Sequence, residues 1–187
     1  MQVYFIEWSA PKSCRVCDEK GTERKVSLSI VASAELTGVS SWQELSELER
    51  SGAKAFAIKA LARQALHSCE MRQKLLRHHV EENIIRETIA LCVDRGWIDD
   101  VQWVRSRVSF WRRSGKSSRD IKHRLKLKGI DVELDEGLDR EALEVLIAKK
   151  YPCLLDAQVS RADRDKALRA LFRRGYSFSV VSDFICM

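Results

Sequence analysis

The sequence predicts a mainly α-helical protein, an elongated array of small helical bundles with a small β-hairpin or sheet at its N-terminus. Three observations support this fold class. Apolar residues recur at helical spacing from residue 53 almost to the end of the chain. Strand-like alternation is confined to residues 1–32. A weak internal repeat recurs three times in the helical part, and repeated helical units bury a core between neighbours.

Composition favours a folded protein. The 187 residues suffice for one sizeable domain or for several small helical units, and two prolines with 45% hydrophobic residues are typical of helical rather than disordered chains. No apolar run approaches the roughly 20 residues needed to cross a bilayer. The N-terminus lacks the pattern of a signal peptide, and we interpret the six cysteines as reduced thiols, so we expect a cytoplasmic protein without a membrane span.

The N-terminal region has the pattern of a small antiparallel sheet. Residues 2–6 are rich in β-forming side chains, and residues 26–30 alternate apolar and polar side chains as a half-buried strand does. Residues 19–21, Glu-Lys-Gly, suit a turn between them. We therefore predict a sheet within residues 1–32.

Helices are predicted after this sheet. Ser40 or Ser41 follows a glycine-containing break and can cap a helix that carries Trp42, Leu45 and Leu48 on one side. Further helices are expected over residues 57–65, 101–111 and 165–174.

Two segments are interpreted as connections or ends. The acidic stretch at residues 131–144 suits a surface connection between helices. Tyr151-Pro152 marks a helix end, because proline cannot continue a helix and restricts the residue before it.

One pattern is repeated at three predicted helix starts. In each copy a serine is followed by apolar residues at plus three and plus seven, which lie on one face of a helix. The serine hydroxyl can accept a hydrogen bond from the free N–H groups of the first turn. The alternative is three ordinary capped helices in an unrelated bundle. The copies are Ser68 with Met71 and Leu75, Ser118 with Ile121 and Leu125, and Ser177 with Val180 and Phe184.

The positive charge of the chain is concentrated in its second half. The net charge is +6, and residues 101–187 carry 19 Lys/Arg against 12 Asp/Glu, whereas residues 1–100 carry 14 against 15. Residues 105–128 hold ten Lys/Arg and a single acid, Asp120. Such a stretch attracts polyanions by steering and by counterion release.

The helix that follows Ser118 is the best candidate for a binding element. Its apolar repeat residues point one way, whereas Arg119, Lys122 and Lys126 cluster roughly opposite. The cationic face either contacts phosphates or an acidic partner, or is merely solvated.

The preceding helix is apolar on two sides, which is usual for a helix packed between neighbours. Arg105 and Arg112 flank one apolar stripe. We favour two-sided packing of this helix. Because aromatic rings lie among arginines, a platform on which bases stack is the alternative. The first stripe comprises Val101, Val104, Val108 and Trp111, and the other side carries Trp103 and Phe110.

Catalytic and metal sites are not indicated. Cys14 and Cys17 have the spacing of half a zinc site, but no second Cys/His pair has complementary spacing. The four histidines form no His-Glu-x-x-His arrangement, and the sequence has no nucleophile elbow and no phosphate-binding glycine loop. We therefore expect no enzyme activity, no cofactor and no metal.

Four segments resemble motifs of the RecX regulatory family, in that family's order. Residues 66–76 (LHSCEMRQKLL) resemble its first-repeat motif, and residues 96–100 (GWIDD) the loop that follows. Residues 115–130, with GKSSRDI and KGI, resemble the second-repeat motif, and residues 165–177, with DK and FRRGYS, are similar to the third. Each motif alone is weak, but four in order are specific. The resemblance covers roughly residues 55–187.

Two positions depart from the family's pattern. Ala65 stands where a basic residue usually precedes the first repeat's serine by three positions, as Arg174 precedes Ser177. The pair Ser117-Ser118 stands where the second motif usually has Gly-Pro, and Ser118 can cap the helix instead. Because the basic residue is missing at Ala65, the first repeat is a poorer candidate for contact with a partner.

The resemblance implies a fold of tandem three-helix repeats, which we place at residues 51–100, 101–140 and 141–187. An N-terminal β-hairpin region and linker helix, on weaker similarity, would occupy residues 1–50. The resemblance also implies a protein without catalytic activity that binds along the groove of a RecA filament on single-stranded DNA. Filament growth, ATP hydrolysis and strand exchange would be inhibited, which would modulate DNA recombination and repair.

The cations of the second and third repeats are the candidate contacts with the filament or its DNA. A stand-alone helical nucleic-acid-binding protein is the alternative function, since the same basic helices would serve it. We also expect a monomer, because the sequence has no long heptad seam. The candidate residues are Arg105, Arg112, Lys116, Arg119, Lys122, Lys126, Arg173 and Arg174.

Overall fold

The protein is mainly α-helical with a small antiparallel sheet near its N-terminus, which confirms the predicted fold class. The computed structural model describes residues 3–10, 12–135, 137–156, 158–182 and 184, the first of these ranges as backbone alone. The chain divides into two compact units, an N-terminal unit (Met1–Trp103) and a C-terminal unit (Val104–Met187). The tandem-repeat arrangement and its boundaries stay predictions.

The elements follow one another in a strand-then-helix order, and a short 3-10 helix at Pro152–Leu154 precedes the helix Arg161–Phe172. They are β1 (Val3–Ala10), β2 (Ser13–Asp18), β3 (Glu23–Ser27), α1 (Ser33–Leu36), α2 (Trp42–Leu61), α3 (Ser68–Arg77), α4 (Glu82–Asp94), α5 (Asp100–Arg113), α6 (Ser118–Lys126), α7 (Leu138–Lys150), α8 (Arg161–Phe172) and α9 (Phe178–Ser182).

The sheet has three strands in the order β1-β2-β3, with both pairs antiparallel. The predicted sheet is thus confirmed, with the additional strand β2, but the strand predicted at residues 26–30 lies earlier, at Glu23–Ser27, and residues 28–30 form a turn. Its turn to β3 forms around Asp18, whose side chain accepts hydrogen bonds from the N–H groups of Lys20 and Thr22, both at 2.9 Å. The indole N–H of Trp42 donates to the same carboxylate at 3.0 Å and lowers the pKa of Asp18. This bond ties the sheet to the start of α2.

The helix α2 is one continuous helix of 20 residues, so the prediction of a separate helix at 57–65 was wrong. Ser41 caps it as expected, accepting a hydrogen bond from the N–H of Glu44 at 3.2 Å. Gly52 in its middle is required by a close approach, because a Cβ there would lie 1.9 Å from the carbonyl oxygen of Ile30. Glycine weakens a helix, but here it lets α2 pack against the segment after β3.

A buried ion pair also joins the sheet to α2. Arg24 of β3 pairs with Glu49 of α2, whose side chain is 1% exposed, and with Glu81 at 2.8 Å. Burial raises the pKa of Glu49, although the Arg24 guanidinium acts in the opposite direction. The core of the N-terminal unit is formed by buried side chains that include Val26, Leu45, Ala53, Ala57, Met71, Leu75, Ile84 and Ile85.

The acidic stretch at residues 131–144 is only partly a connection, which corrects the sequence-based interpretation. Its second half forms the first turns of α7, where Asp139 and Leu143 are buried. Acidic residues are favourable at a helix N-terminus, so their density there is compatible with a helix start. Tyr151-Pro152 ends α7 as predicted.

In two of the three copies the repeated serine lies one position inside the helix, and the residue before it is the N-cap. His67 and Ser117 are the N-caps of α3 and α6, so Ser68 and Ser118 are the first helical residues. Ser177 does accept a hydrogen bond from the N–H of Val180, at 3.4 Å. The predicted caps at Ser68 and Ser118 were therefore wrong.

Each of these two serines instead binds the carboxylate of an aspartate, in the same way in both copies. Ser68 donates its backbone N–H and its hydroxyl to the carboxylate of Asp100, at 2.7 and 2.5 Å. Ser118 donates the same two groups to Asp139, at 2.8 and 2.7 Å. In both copies a helix start is thus held by an aspartate from the beginning of a later helix.

Candidate functional site

A basic and aromatic cleft lies in the C-terminal unit, between α6 and the corner that joins α8 to α9. We call it the arginine–phenylalanine cleft. Its volume is about 820 Å³. It is lined by Arg119, Asp120, His123, Phe172, Arg173, Gly175, Tyr176, Ser177 and Phe178. It therefore combines residues of the second and third sequence motifs.

The cleft is held by the close approach of the α8–α9 corner to the first turn of α6. The backbone N–H of Ser117 donates to the carbonyl of Arg174 at 3.1 Å. Gly175 has a φ of +90°, and a Cβ there would lie 2.5 Å from Oγ of Ser117 and 2.8 Å from Cβ of Asp120. Glycine is required at this corner both for its backbone conformation and for the space.

We expect the substitution Gly175→Ala to lower the free energy of unfolding by about 2 kcal/mol, because it adds a clash to the cost of a left-handed alanine. Gly96→Ala is the matched control. Gly96 also has a positive φ, +67°, but nothing lies within 4 Å of the position that a Cβ would take there. The control should cost about 1 kcal/mol. Urea denaturation of both variants measures the difference, and equal losses would contradict a tight corner at Gly175.

Among the described residues that line the cleft, Asp120 is the one acid, and it is neutralised within the same unit. Asp120 accepts from Lys116 at 3.1 Å and from Arg124 at 2.9 Å. Burial alone would raise the pKa of Asp120, but the hydrogen bonds from Arg124 and Lys116 outweigh it and hold this pKa below its ordinary value. The carboxylate therefore stays charged and paired, and the cleft keeps the positive charge of its arginines.

Two arginines of the cleft are available to a ligand. The side chains of Arg119 and Arg173 are exposed, and neither makes a hydrogen bond or an ion pair with the described residues. A guanidinium offers five N–H donors in a planar fork that matches a phosphate or a carboxylate. The cleft can therefore bind an anionic group without breaking an ion pair between these two arginines and the described residues.

Two aromatic rings are exposed beside these arginines. Phe178 is 69% exposed and Phe172 is 40% exposed. An exposed ring next to a guanidinium is the arrangement on which the bases of single-stranded nucleic acids stack. The third ring, that of Tyr176, is buried; burial, assisted by the charge of Asp139, raises the pKa of Tyr176 to about 12.

Four of the other candidate cations serve contacts inside the C-terminal unit. Arg112 donates to the carbonyl of Asp135 at 3.1 Å. Arg174 donates to the carbonyls of Ser114 and Gly115 at 2.6 and 3.2 Å. Lys122 pairs with Glu133 at 3.3 Å, and Lys116 pairs with Asp120.

The remaining two candidates, Arg105 and Lys126, are exposed and do not line the arginine–phenylalanine cleft. Arg119 and Arg173 are thus the two predicted residues that line this cleft. Sequence reasoning missed Phe178, although it directly follows the third serine of the repeat.

The expectation that α5 is buried on two sides was wrong for two of its residues. Val101 is 64% exposed and Phe110 is 53% exposed. Trp103, by contrast, is buried; its indole N–H donates to the carbonyl of Ala65 at 3.3 Å, and its ring packs edge-on against His67. Trp103 therefore has a structural place in the N-terminal unit and is not a free stacking surface.

The described residues contain no group of three or more His, Cys, Asp or Glu side chains that could hold a metal ion. The five cysteines within the described ranges are free thiols, and Cys186 lies outside those ranges. Among the helices of the described part, none is long and apolar enough to span a bilayer.

The chain is similar to several proteins that share one name, although no family model matches it. The regulatory protein RecX of Vibrio campbellii is 31% identical over 135 residues, which cover 69% of this chain and 86% of that protein. RecX of Streptococcus pneumoniae (strain Hungary19A-6) is 30% identical over 156 residues, and the chain spans 58% of its length. RecX of Deinococcus radiodurans is 25% identical over 144 residues, 67% of that protein.

Solved structures show the same fold. The crystal structure of RecX from Lactobacillus salivarius has a TM-score of 0.52 and 22% identity, and the match covers 72% of this chain and 93% of that one. A second RecX crystal structure has a TM-score of 0.54 and 16% identity over 97% of both chains. The four motifs, the fold and the identity to the Vibrio protein agree. The chain therefore belongs to the RecX family of regulatory proteins.

Proposed function

We propose that this protein regulates the RecA recombinase by binding RecA filaments on single-stranded DNA. Binding inhibits filament growth, ATP hydrolysis and strand exchange, and thereby modulates DNA recombination and repair. The observation that carries the proposal is the arginine–phenylalanine cleft, where Arg119 and Arg173 lie beside the exposed rings of Phe172 and Phe178. Membership of a family of regulatory proteins supports it.

In this proposal the protein acts by occupying the filament and not by catalysis. The arginines bind phosphates through charge-assisted hydrogen bonds, and the phenylalanine rings contact bases or apolar side chains of the filament. The protein works as a monomer in the cytoplasm and needs no cofactor.

A stand-alone nucleic-acid-binding protein is the second candidate function. The same observation favours it, because exposed rings beside arginines suit single-stranded DNA without any protein coat. The two functions differ in the ligand that is bound more tightly.

The test measures binding and inhibition under one set of conditions. The protein is titrated against a fluorescently labelled oligonucleotide, either bare or coated with RecA and a slowly hydrolysed nucleotide, at equal salt concentration. A parallel titration follows RecA-dependent ATP hydrolysis. We expect at least about tenfold tighter binding to the coated strand, a difference of about 1.4 kcal/mol, and progressive inhibition of hydrolysis. Equal affinity for both strands would favour the stand-alone function.

A further inference from the structure

A second groove of the C-terminal unit has a different chemistry. It lies between the C-terminal end of α5 and one face of α7, and its volume is about 630 Å³. We call it the α5–α7 groove. It is lined by Arg112, Arg113, Ser114, Gly115, Leu138, Glu141, Ala142, Val145, Leu146, Lys149 and Lys150.

The floor of the groove is an apolar stripe on α7. Leu138, Ala142 and Val145 are spaced four and three residues apart, so they lie on one face of the helix. Leu138 is 39% exposed and Val145 is 52% exposed. The helix already buries another face in the core, through residues such as Leu143 and Ile147. The exposed stripe is therefore additional to what folding of the unit requires.

The rim of the groove is cationic. Arg112 and Arg113 lie in the last turn of α5, and Lys149 and Lys150 lie in the last turn of α7. Arg113 and the two lysines are exposed and make no ion pair with residues of the described ranges. Cations near helix C-termini offset the helix dipole. That effect explains each pair on its own helix, but it does not explain an exposed apolar stripe between them.

We propose that the α5–α7 groove binds an acidic peptide segment of a protein partner, with an apolar side chain on the stripe and carboxylates on the rim. The charges are complementary, and an amphipathic segment in an apolar groove is a common mode of peptide recognition. A nucleic acid fits less well, because the described residues that line the groove include no aromatic ring on which a base could stack. The proposal requires neither DNA nor the arginine–phenylalanine cleft.

The test uses the full chain and a labelled peptide of alternating Asp/Glu and Leu in fluorescence anisotropy, without DNA or recombinase. A peptide of about ten residues, at roughly 3.3 Å per residue, exceeds the length of the 13-residue helix α7. We expect saturable binding that falls at least about tenfold when Leu is replaced by Ser in the peptide, or when Asp/Glu are replaced by Asn/Gln.

Variants of the protein locate the binding. Val145→Glu, and separately Arg113→Glu combined with Lys149→Glu, should each weaken binding at least about tenfold, whereas Arg119→Glu with Arg173→Glu should leave it unchanged. Circular dichroism melts check that each variant is folded. Equal binding of the Leu-to-Ser peptide, unchanged binding by both groove variants, or displacement of the peptide by an oligonucleotide would each overturn the proposal. Because the assay contains no filament, these outcomes are independent of the filament-binding function.

Discussion

Reversing the charges of Arg119 and Arg173 together is expected to raise the protein concentration for half-maximal inhibition of RecA-dependent ATP hydrolysis about a hundredfold. This change corresponds to about 3 kcal/mol, which is reasonable when two guanidinium groups beside phosphates are replaced by carboxylates. Both side chains are exposed in the arginine–phenylalanine cleft and have no partner among the described residues, so the substitutions break no ion pair between those residues.

The salt dependence of binding gives a second readout of the same variant. Each phosphate contact on a single strand contributes about 0.7 to the slope of log affinity against log salt concentration. Loss of two contacts should therefore flatten the slope by about 1.4. A purely structural defect would reduce the amount of active protein without changing this slope.

A matched control separates the cleft from the overall charge. Lys25→Glu with Arg86→Glu changes the net charge equally, at two exposed cations of the N-terminal unit. This control should inhibit like the wild type, and both double variants should keep the wild-type stability to within about 0.5 kcal/mol per substitution. If the cleft variant inhibited as strongly as the control at every salt concentration, the cleft would not be the contact surface. The exposed cations Arg105 and Lys126 would then be tested next.

Helical periodicity correctly predicted features that depend on a single element, such as which side chains of a helix are buried. Ile121 and Leu125 are fully buried, and Arg119 and Lys126 are exposed, as the spacing along α6 indicated. The mainly α fold and the N-terminal sheet are likewise consequences of local patterns. Burial of one face of a helix is set by residue spacing, and the sequence displays this spacing directly.

Contacts between elements could not be predicted from spacing. Ser117 and Ser118 are both competent N-caps, and the choice between them is made by Asp139, which lies 21 residues further along the chain. Lys122 was a candidate for phosphate contact, but it pairs with Glu133 across the loop that follows α6. The cleft also depends on contacts between elements, because Phe178 and Arg119 line the same cleft only once the C-terminal unit has folded.

The contact that decides this helix start predicts a large loss of stability. Asp139 is 8% exposed, and its carboxylate accepts the backbone N–H and the hydroxyl of Ser118, a residue that is completely buried. Asp139→Ala leaves the N–H of Ser118 without an acceptor and removes an anion from the start of α6. An orphaned buried donor costs about 1–3 kcal/mol, and hydrogen bonds to a charged group contribute about 1.5–3 kcal/mol. We expect the free energy of unfolding to fall by about 3 kcal/mol.

Two further substitutions show whether burial sets the size of this loss. Asp100 makes the equivalent contacts with Ser68, but its side chain is 36% exposed, so water can replace the lost acceptor and Asp100→Ala should cost about 1–2 kcal/mol. Glu144→Ala removes an exposed acid from the same helix as Asp139 and should change stability by less than about 0.5 kcal/mol. Urea denaturation followed by circular dichroism gives the three values, and hydrogen exchange at the N–H of Ser118 shows whether the loss is local to α6. A loss for Asp139→Ala no larger than that for Asp100→Ala would mean that the aspartate is replaceable by solvent, and that the start of α6 is held by Ser117 instead.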